Sequence, residues 1–284
     1  MKLVLQWILA AVAALIVGPV AGWLVALNGG VDGSPHATML TGTSTAMGVL
    51  GHLGALALAA GMGVVSARLT TGRYGLFAAG VVLAWAAARS GQVEAILAVR
   101  TETGVLTSLA VEGLVLAAAA GVLAHVICRD REDEIPAQRE PIVSSETGLA
   151  AAAALVAGGV GAWIASQDDT KGQTIAAAAV AGMAGATLAR VLAHRGLAAG
   201  VMLGVCLLAA AGPMLGARAG AGALLEGMYS GQVRGSLAAM ARVAPLDWLA
   251  GAFIGVPIGM TWAASMVEKK QAEAAAGTPG VRKA

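Results

Sequence analysis

Charged side chains are scarce in this sequence, and so are aromatics and cysteines. Of 284 residues, 12% are Asp, Glu, Lys or Arg, about half the ~25% that a soluble domain carries. Aromatics make up 4%. That argues against a membrane barrel, whose alternating strands of about 10 residues are girdled by aromatic side chains. The net charge of +2 is too small to suggest a nucleic-acid partner. The two cysteines, Cys128 and Cys206, fall at a helix end and in mid-helix. They read as small buried apolar residues, and no Cys/His cluster has metal spacing. There is no Gly-rich phosphate loop with Lys, no His-Glu-x-x-His and no Gly-x-Ser-x-Gly. No two of the four histidines match in depth for haem. No cofactor or metal is expected, and an enzyme is the weakest of the readings.

What remains is apolar: 58% of the chain is hydrophobic and 40 residues are Gly. The apolar residues neither alternate nor form a stripe. They come in blocks of about 20, the length that crosses ~30 Å of hydrocarbon at ~1.5 Å per residue. The expected fold is an all-α polytopic membrane protein in contact with a lipid bilayer. Its eight transmembrane helices are placed near 3–27, 44–67, 74–88, 105–127, 148–166, 173–193, 196–217 and 245–267. Pro19 is expected to kink the first helix and Gly212-Pro213 the seventh. The first apolar block is longer than the 7–15 residues of a signal peptide's core and returns later in the chain, so it is read as part of the mature protein. Residues 128–147 are rich in charge and contain Pro136 and Pro141, which marks a polar cytoplasmic linker. Residues 268–284 read as a disordered cytoplasmic tail.

Loops on the side of the termini carry Arg68 and Arg73, then Arg129, Arg131 and Arg139, then Arg190 and Arg195, then Lys269 and Lys270. The opposite loops carry Asp32, Asp168 and Asp169 with Lys171. The positive-inside rule then places both termini in the cytoplasm, in a multi-pass plasma (inner) membrane.

The chain repeats itself. Ser90-Gly91-Gln92-Val93 returns as Ser230-Gly231-Gln232-Val233, 140 positions on. At the same offset, residues 13–23 match 153–163 at six of eleven positions, including Trp23 and Trp163. Residues 90–110 match 230–250 at nine of twenty-one. Chance matches in an Ala/Gly-rich chain do not account for a shared offset. Two parallel four-helix repeats are expected, 1–127 and 148–267, related by an axis along the membrane normal. Extra residues fall around 28–41 in the first copy and 212–225 in the second, both on the outer side. The segments 91–101 and 231–242 carry apolar residues at helical spacing, so short interfacial helices are expected on the outer face.

Under this alignment Glu94 matches Arg234 and Glu102 matches Arg242. Opposite charges facing across the pseudo-axis are the sharper expectation; solvated rim charges, worth ~0–1 kcal/mol per pair, are the plainer one. Ionisable groups inside apolar helices are costly and call for a functional explanation. His52 and Glu112 each sit about 12 Å below the start of an inward-running helix. A His52–Glu112 interaction lining a solute or proton path is one reading, and two separately satisfied groups the other. Gln92 and Gln232 are added as candidate solute contacts or turn caps. Two functions follow: a small-solute transporter or channel with its path near the repeat interface, or a non-catalytic membrane subunit or scaffold. The second carries membrane-protein partners or homo-oligomers with it.

Overall fold

A computed structural model describes residues 2–129, 144–168, 170–193 and 198–276. Of the described residues 82% are helical, and none of them forms a strand. Helix α1 (Lys2–Val12) passes through a π-helical turn (Ala13–Val17) into α2 (Gly18–Val25). Then follow α3 (Thr45–Leu69), α4 (Gly72–Arg89), α5 (Val93–Val99) and α6 (Thr103–Cys128). The second half holds α7 (Ser145–Ala165), α8 (Lys171–Leu192), α9 (Ala198–Cys206), α10 (Leu208–Ala219) and α11 (Ala221–Tyr229). A 3-10 turn (Leu237–Arg242) leads into α12 (Pro245–Ala276). Among the described residues eight spans are long and apolar enough to cross a membrane: α1–α2, α3, α4, α6, α7, α8, α9–α10 and α12. The protein is therefore an integral membrane protein. The end of the bundle where α1 begins is called proximal below, and the other end distal.

Helix starts follow capping chemistry. Ser44, Thr71 and Ser144 each accept an N–H from the residue three positions on, Met47, Tyr74 and Thr147, which satisfies donors that the helix leaves open. The expected kink at Pro19 takes the form of a π turn just before it. Gly18 N–H bonds the Ala13 carbonyl, five residues back, a register slip next to a residue that cannot donate. In the seventh span the break falls at Leu207, ahead of Pro213, where Ala210 and Ala211 both donate to the Leu207 carbonyl. The last helix continues to Ala276, so the tail expected from 268 is helical over its first part. Residues 277–284, linker residues 130–143 and His194 lie outside the described residues.

The spans are not equivalent. Only 33% of the first and fifth is buried against protein, but 72% of α9–α10 and 61% of α4 and α12. Helix α12 packs on α8 and α4, and α6 packs on α9 and α10. Helices α2 and α7 lie outside, exposing Trp23, Val156 and Ile164. Trp7 and Trp23, both exposed, are 16 residues apart. That is about 24 Å along a helix, close to the spacing of the two interfaces where Trp concentrates.

Glycine makes the centre tight. Along α12, Gly251, Gly255 and Gly259 repeat every fourth residue, and a Cβ on any of them would overlap the α8 backbone at Ile175, Ala179 or Met183. On α3, Gly51 meets the Leu24 carbonyl in the same way, and on α9 Gly204 meets that of Ala151. Membrane helices lack a hydrophobic force between them and associate through such backbone approach.

At the distal end a smaller core forms. Val93, Ile96 and Leu97 of α5 pack with Leu106 and Leu109 of α6, Leu224 and Met228 of α11, and Val233. The two copies of the Ser-Gly-Gln-Val motif differ here. The first joins α4 to α5, with Gln92 at the N-cap position. The second follows α11 in a turn where Gly231 takes φ +75°, and its 231–242 segment is a turn plus 3-10 helix instead of an α-helix. Gln232 is exposed.

Gly255→Val is expected to destabilise the protein by about 1–3 kcal/mol, the usual cost of overpacking. Gly61→Ala, where a Cβ meets nothing within 4 Å, is expected to be neutral or stabilising by up to about 1 kcal/mol. Thermal unfolding of the purified protein in detergent compares the two. Equal effects would remove the backbone-contact explanation.

Candidate functional site

The link from α2 to α3, residues 26–44, is rich in Gly, Thr and Ser and has no regular structure. Its backbone polar groups must still be satisfied, and Asn28 does much of this from a buried position. Its Nδ2 donates to the Thr38 carbonyl at 2.9 Å and its Oδ1 accepts from Ser44 N–H at 3.4 Å. Thr41 Oγ1 accepts from Thr38 N–H at 2.9 Å. Gly42 and Gly48 leave room for Asn28, since a Cβ on either would overlap it. The result is a link that folds inward: Ala37, Thr38, Met39 and Thr41 are all buried. At its tip Asp32 stays outside, and the Ser34 hydroxyl and amide hold its carboxyl below the ordinary value.

The inward link ends on Glu112 of α6. Leu40 N–H donates to Glu112 Oε2 at 3.2 Å, and Oε1 is buried without a hydrogen-bond partner. Thr38 and the Met39 amide face the same carboxyl group. His52 of α3 is also buried, with Nδ1 2.8 Å from the Gly48 carbonyl and Nε2 unpartnered. No hydrogen bond joins His52 to Glu112. Residue 39 lies against Gly48 on the α3 side and residue 40 bonds Glu112 on the α6 side, so the link passes between the two helices.

A second charged group lies close by. Lys171, first residue of α8, donates to both Asp247 oxygens, at 2.9 and 3.2 Å. The same ammonium donates to the Gly91 carbonyl at 2.9 Å and to Ser90 Oγ at 3.2 Å. Thr174 Oγ1, one turn along α8, donates to Asp247 Oδ2 at 2.8 Å. Asp247 is 1% exposed and the Lys171 side chain 17%. A lysine at a helix N-terminus opposes the helix dipole, and here the facing carboxylate offsets that cost. Gly91 N–H in turn donates to the Ala37 carbonyl at 2.7 Å. The first Ser-Gly-Gln-Val stretch thereby joins the inward link to the Lys171–Asp247 pair, and Lys171 is within electrostatic reach of Glu112.

A cavity of about 240 Å³ opens above this cluster at the distal end, lined by His36, Arg89, Ser90, Gln92 and Lys171 among others. Of the residues singled out from sequence, Gln92 lines it and Glu112 joins the buried network, while Gln232 lies apart from it. The expected charge pair Glu102–Arg242 does not form. Glu102 is exposed and pairs with Arg100 at 3.4 Å. Arg242 is buried and donates to the Gln167 carbonyl at 2.7 Å. The 3-10 turn draws Arg242 into the bundle, whereas Glu102 stays at the α6 start facing solvent. Glu94 stands in the first turn of α5 and Arg234 is exposed in the turn after α11.

Sequence reasoning missed Lys171 and Asp247. Lys171 follows Asp168 and Asp169 and reads as part of a solvated acidic loop. Asp247 follows Pro245 at the head of an apolar helix, which reads as a helix-start acid. An acid inside one apolar block and the one cation among the opposite short loops were the available signals.

Removing one member of a buried ion pair strands the other charge, at a cost of about 3–5 kcal/mol. Lys171→Met and Asp247→Asn are each expected to destabilise by that order, and the double variant by clearly less than their sum. Thermal unfolding of the four proteins reads the coupling, and strict additivity would show that the pair is not a unit.

Comparison with protein-family models, with characterised proteins and with solved structures finds no match for this chain.

Proposed function

We propose that this integral membrane protein is a transporter or channel for a small solute, entered through the distal cavity at Gln92 and Lys171. The observation that carries the reading is the buried charge cluster beneath that cavity. Lys171, Asp247 and Glu112 are drawn from three helices and held in the distal part of an apolar bundle. Charges inside a membrane protein are costly and face the bundle interior or a water-filled path where they are used. The unpartnered Glu112 Oε1 and His52 Nε2 leave polar capacity for a proton or solute. The 26–44 link closes the way further in.

The path would run near the interface of two four-helix repeats, 1–127 and 148–267. The pattern of packing supports the duplication. The last helix of each proposed repeat packs on the third span of the other: α6 on α9–α10, and α12 on α4. Only the first motif copy lies at the cavity, so the site would be asymmetric.

One observation favours the alternative, a non-catalytic subunit or scaffold. Beyond Glu112 the centre is filled by Leu83, Leu116, Met202 and Phe253, all buried, and a solid core suits a structural role.

Both native cysteines are buried, so introduced thiols can be probed. In membranes, Gln92→Cys is expected to react with a small charged methanethiosulfonate, and Glu112→Cys to react more slowly but measurably. Proteoliposomes should show wild-type counterflow of at least one small polar solute or proton, reduced at least about tenfold in Asp247→Asn. An inert Glu112→Cys together with flux-free vesicles, and a stable partner copurified from native membranes, would instead establish the scaffold reading.

A further inference from the structure

A groove of about 820 Å³ lies at the opposite, proximal end, between α1, α4 and α12. It is remote in sequence and in the fold from the distal cluster. Its polar end is formed by Gln6, Thr71, Arg73 and Ser265. Arg73 is the second residue of α4, and its Nε is buried with no hydrogen-bond partner. Its guanidinium makes no hydrogen bond or ion pair among the described residues. A buried Nε–H without a partner is costly, and the fork geometry of the half-buried guanidinium matches the two oxygens of a phosphate. The positive end of the α4 dipole adds to the same sign. Among the described residues the lining contains no Asp or Glu, so none of them would receive a choline or ethanolamine ammonium.

The rest of the groove is apolar apart from Thr261, whose hydroxyl donates to the Pro257 carbonyl. Phe77 lies one turn along α4 from Arg73, and Pro257, Ile258 and Trp262 form the facing wall on α12. Ile258 and Trp262 are exposed on the side of the bundle that meets lipid. Such a wall suits an acyl chain and gives a free anion no contact. Tyr74, whose hydroxyl donates to the Gln6 carbonyl, ties α4 to α1 and holds the polar end in shape.

We infer that this groove binds one anionic phospholipid, its phosphate on Arg73 and its chain against Phe77, Ile258 and Trp262. The lipid supplies the partner that the protein withholds from Arg73. It also joins α1 to α12, two helices that make little direct contact.

The test uses the full-length protein in detergent with phosphatidylglycerol, phosphatidylcholine or inorganic phosphate, read by native mass spectrometry and thermal unfolding. Phosphatidylglycerol is expected to be retained at least about fivefold over phosphatidylcholine and to raise the unfolding temperature. Inorganic phosphate should do neither. Arg73→Gln should bring the two lipids to parity, whereas Arg190→Gln, at the same end on α8, should leave the preference intact. If Arg73→Gln does not fold, Ile258→Trp serves, since it fills the apolar wall and keeps the charge. It too should abolish the preference. Equal retention of both lipids by the wild type, a preference that survives the groove variants, or full stabilisation by inorganic phosphate would overturn the assignment.

Discussion

The Lys171 ammonium is the point on which the distal architecture depends. It has three hydrogen-bonding directions and spends them on Asp247 of α12, the Ser90 hydroxyl and the Gly91 carbonyl. One side chain therefore joins α8, α12 and the turn that ends α4. Gly91 passes the connection to the 26–44 link through its amide, and the link passes it to Glu112 through Leu40. In water each of these bonds would be worth about 1 kcal/mol net. Inside an apolar bundle their loss leaves unsatisfied groups, so they stand or fall together.

The large-scale fold was legible because the bilayer imposes a length. Blocks of about 20 apolar residues located the eight spans found among the described residues. The distal end was not legible, because composition does not report which way a polar segment folds. Residues 28–43 look like a solvated loop. They turn inward because Asn28 and the Thr38–Thr41 pair satisfy the backbone without a helix or strand. Glu112 was recognised as out of place on its helix, and so was His52. The two make no hydrogen bond to each other: Glu112 accepts from the Leu40 amide of the link, and His52 Nδ1 faces the Gly48 carbonyl. Arg242 was read either as a partner of Glu102 or as a rim charge, yet the 3-10 turn before α12 buries it against the Gln167 carbonyl.

The repeated motif shows how similar letters part company. Ser90-Gly91 sits where a helix ends, and a Cβ on Gly91 would meet residues 36 and 37 of the link. Gly231 has open space around it and a positive φ. The same glycine is needed for closeness in one copy and for backbone curvature in the other. The extra helix α11 before the second copy changes its setting, and this explains why Gln232 lies away from the cavity that Gln92 lines.

The glycine seam between α8 and α12 has a mechanical consequence. With backbones this close at Gly251, Gly255 and Gly259, the two helices have little room to re-seat in a second arrangement. They behave as a single beam, and Lys171 and Asp247 are fixed to that beam at the same level. The ion pair then cannot be pulled open by sliding one helix past the other. Movement that exposes it must come from the other partners, the 26–44 link and the Ser90–Gln92 turn. Those lack the continuous backbone contact of the α8–α12 seam, so the hinge of this protein lies in its irregular segments and the fulcrum in its most regular pair.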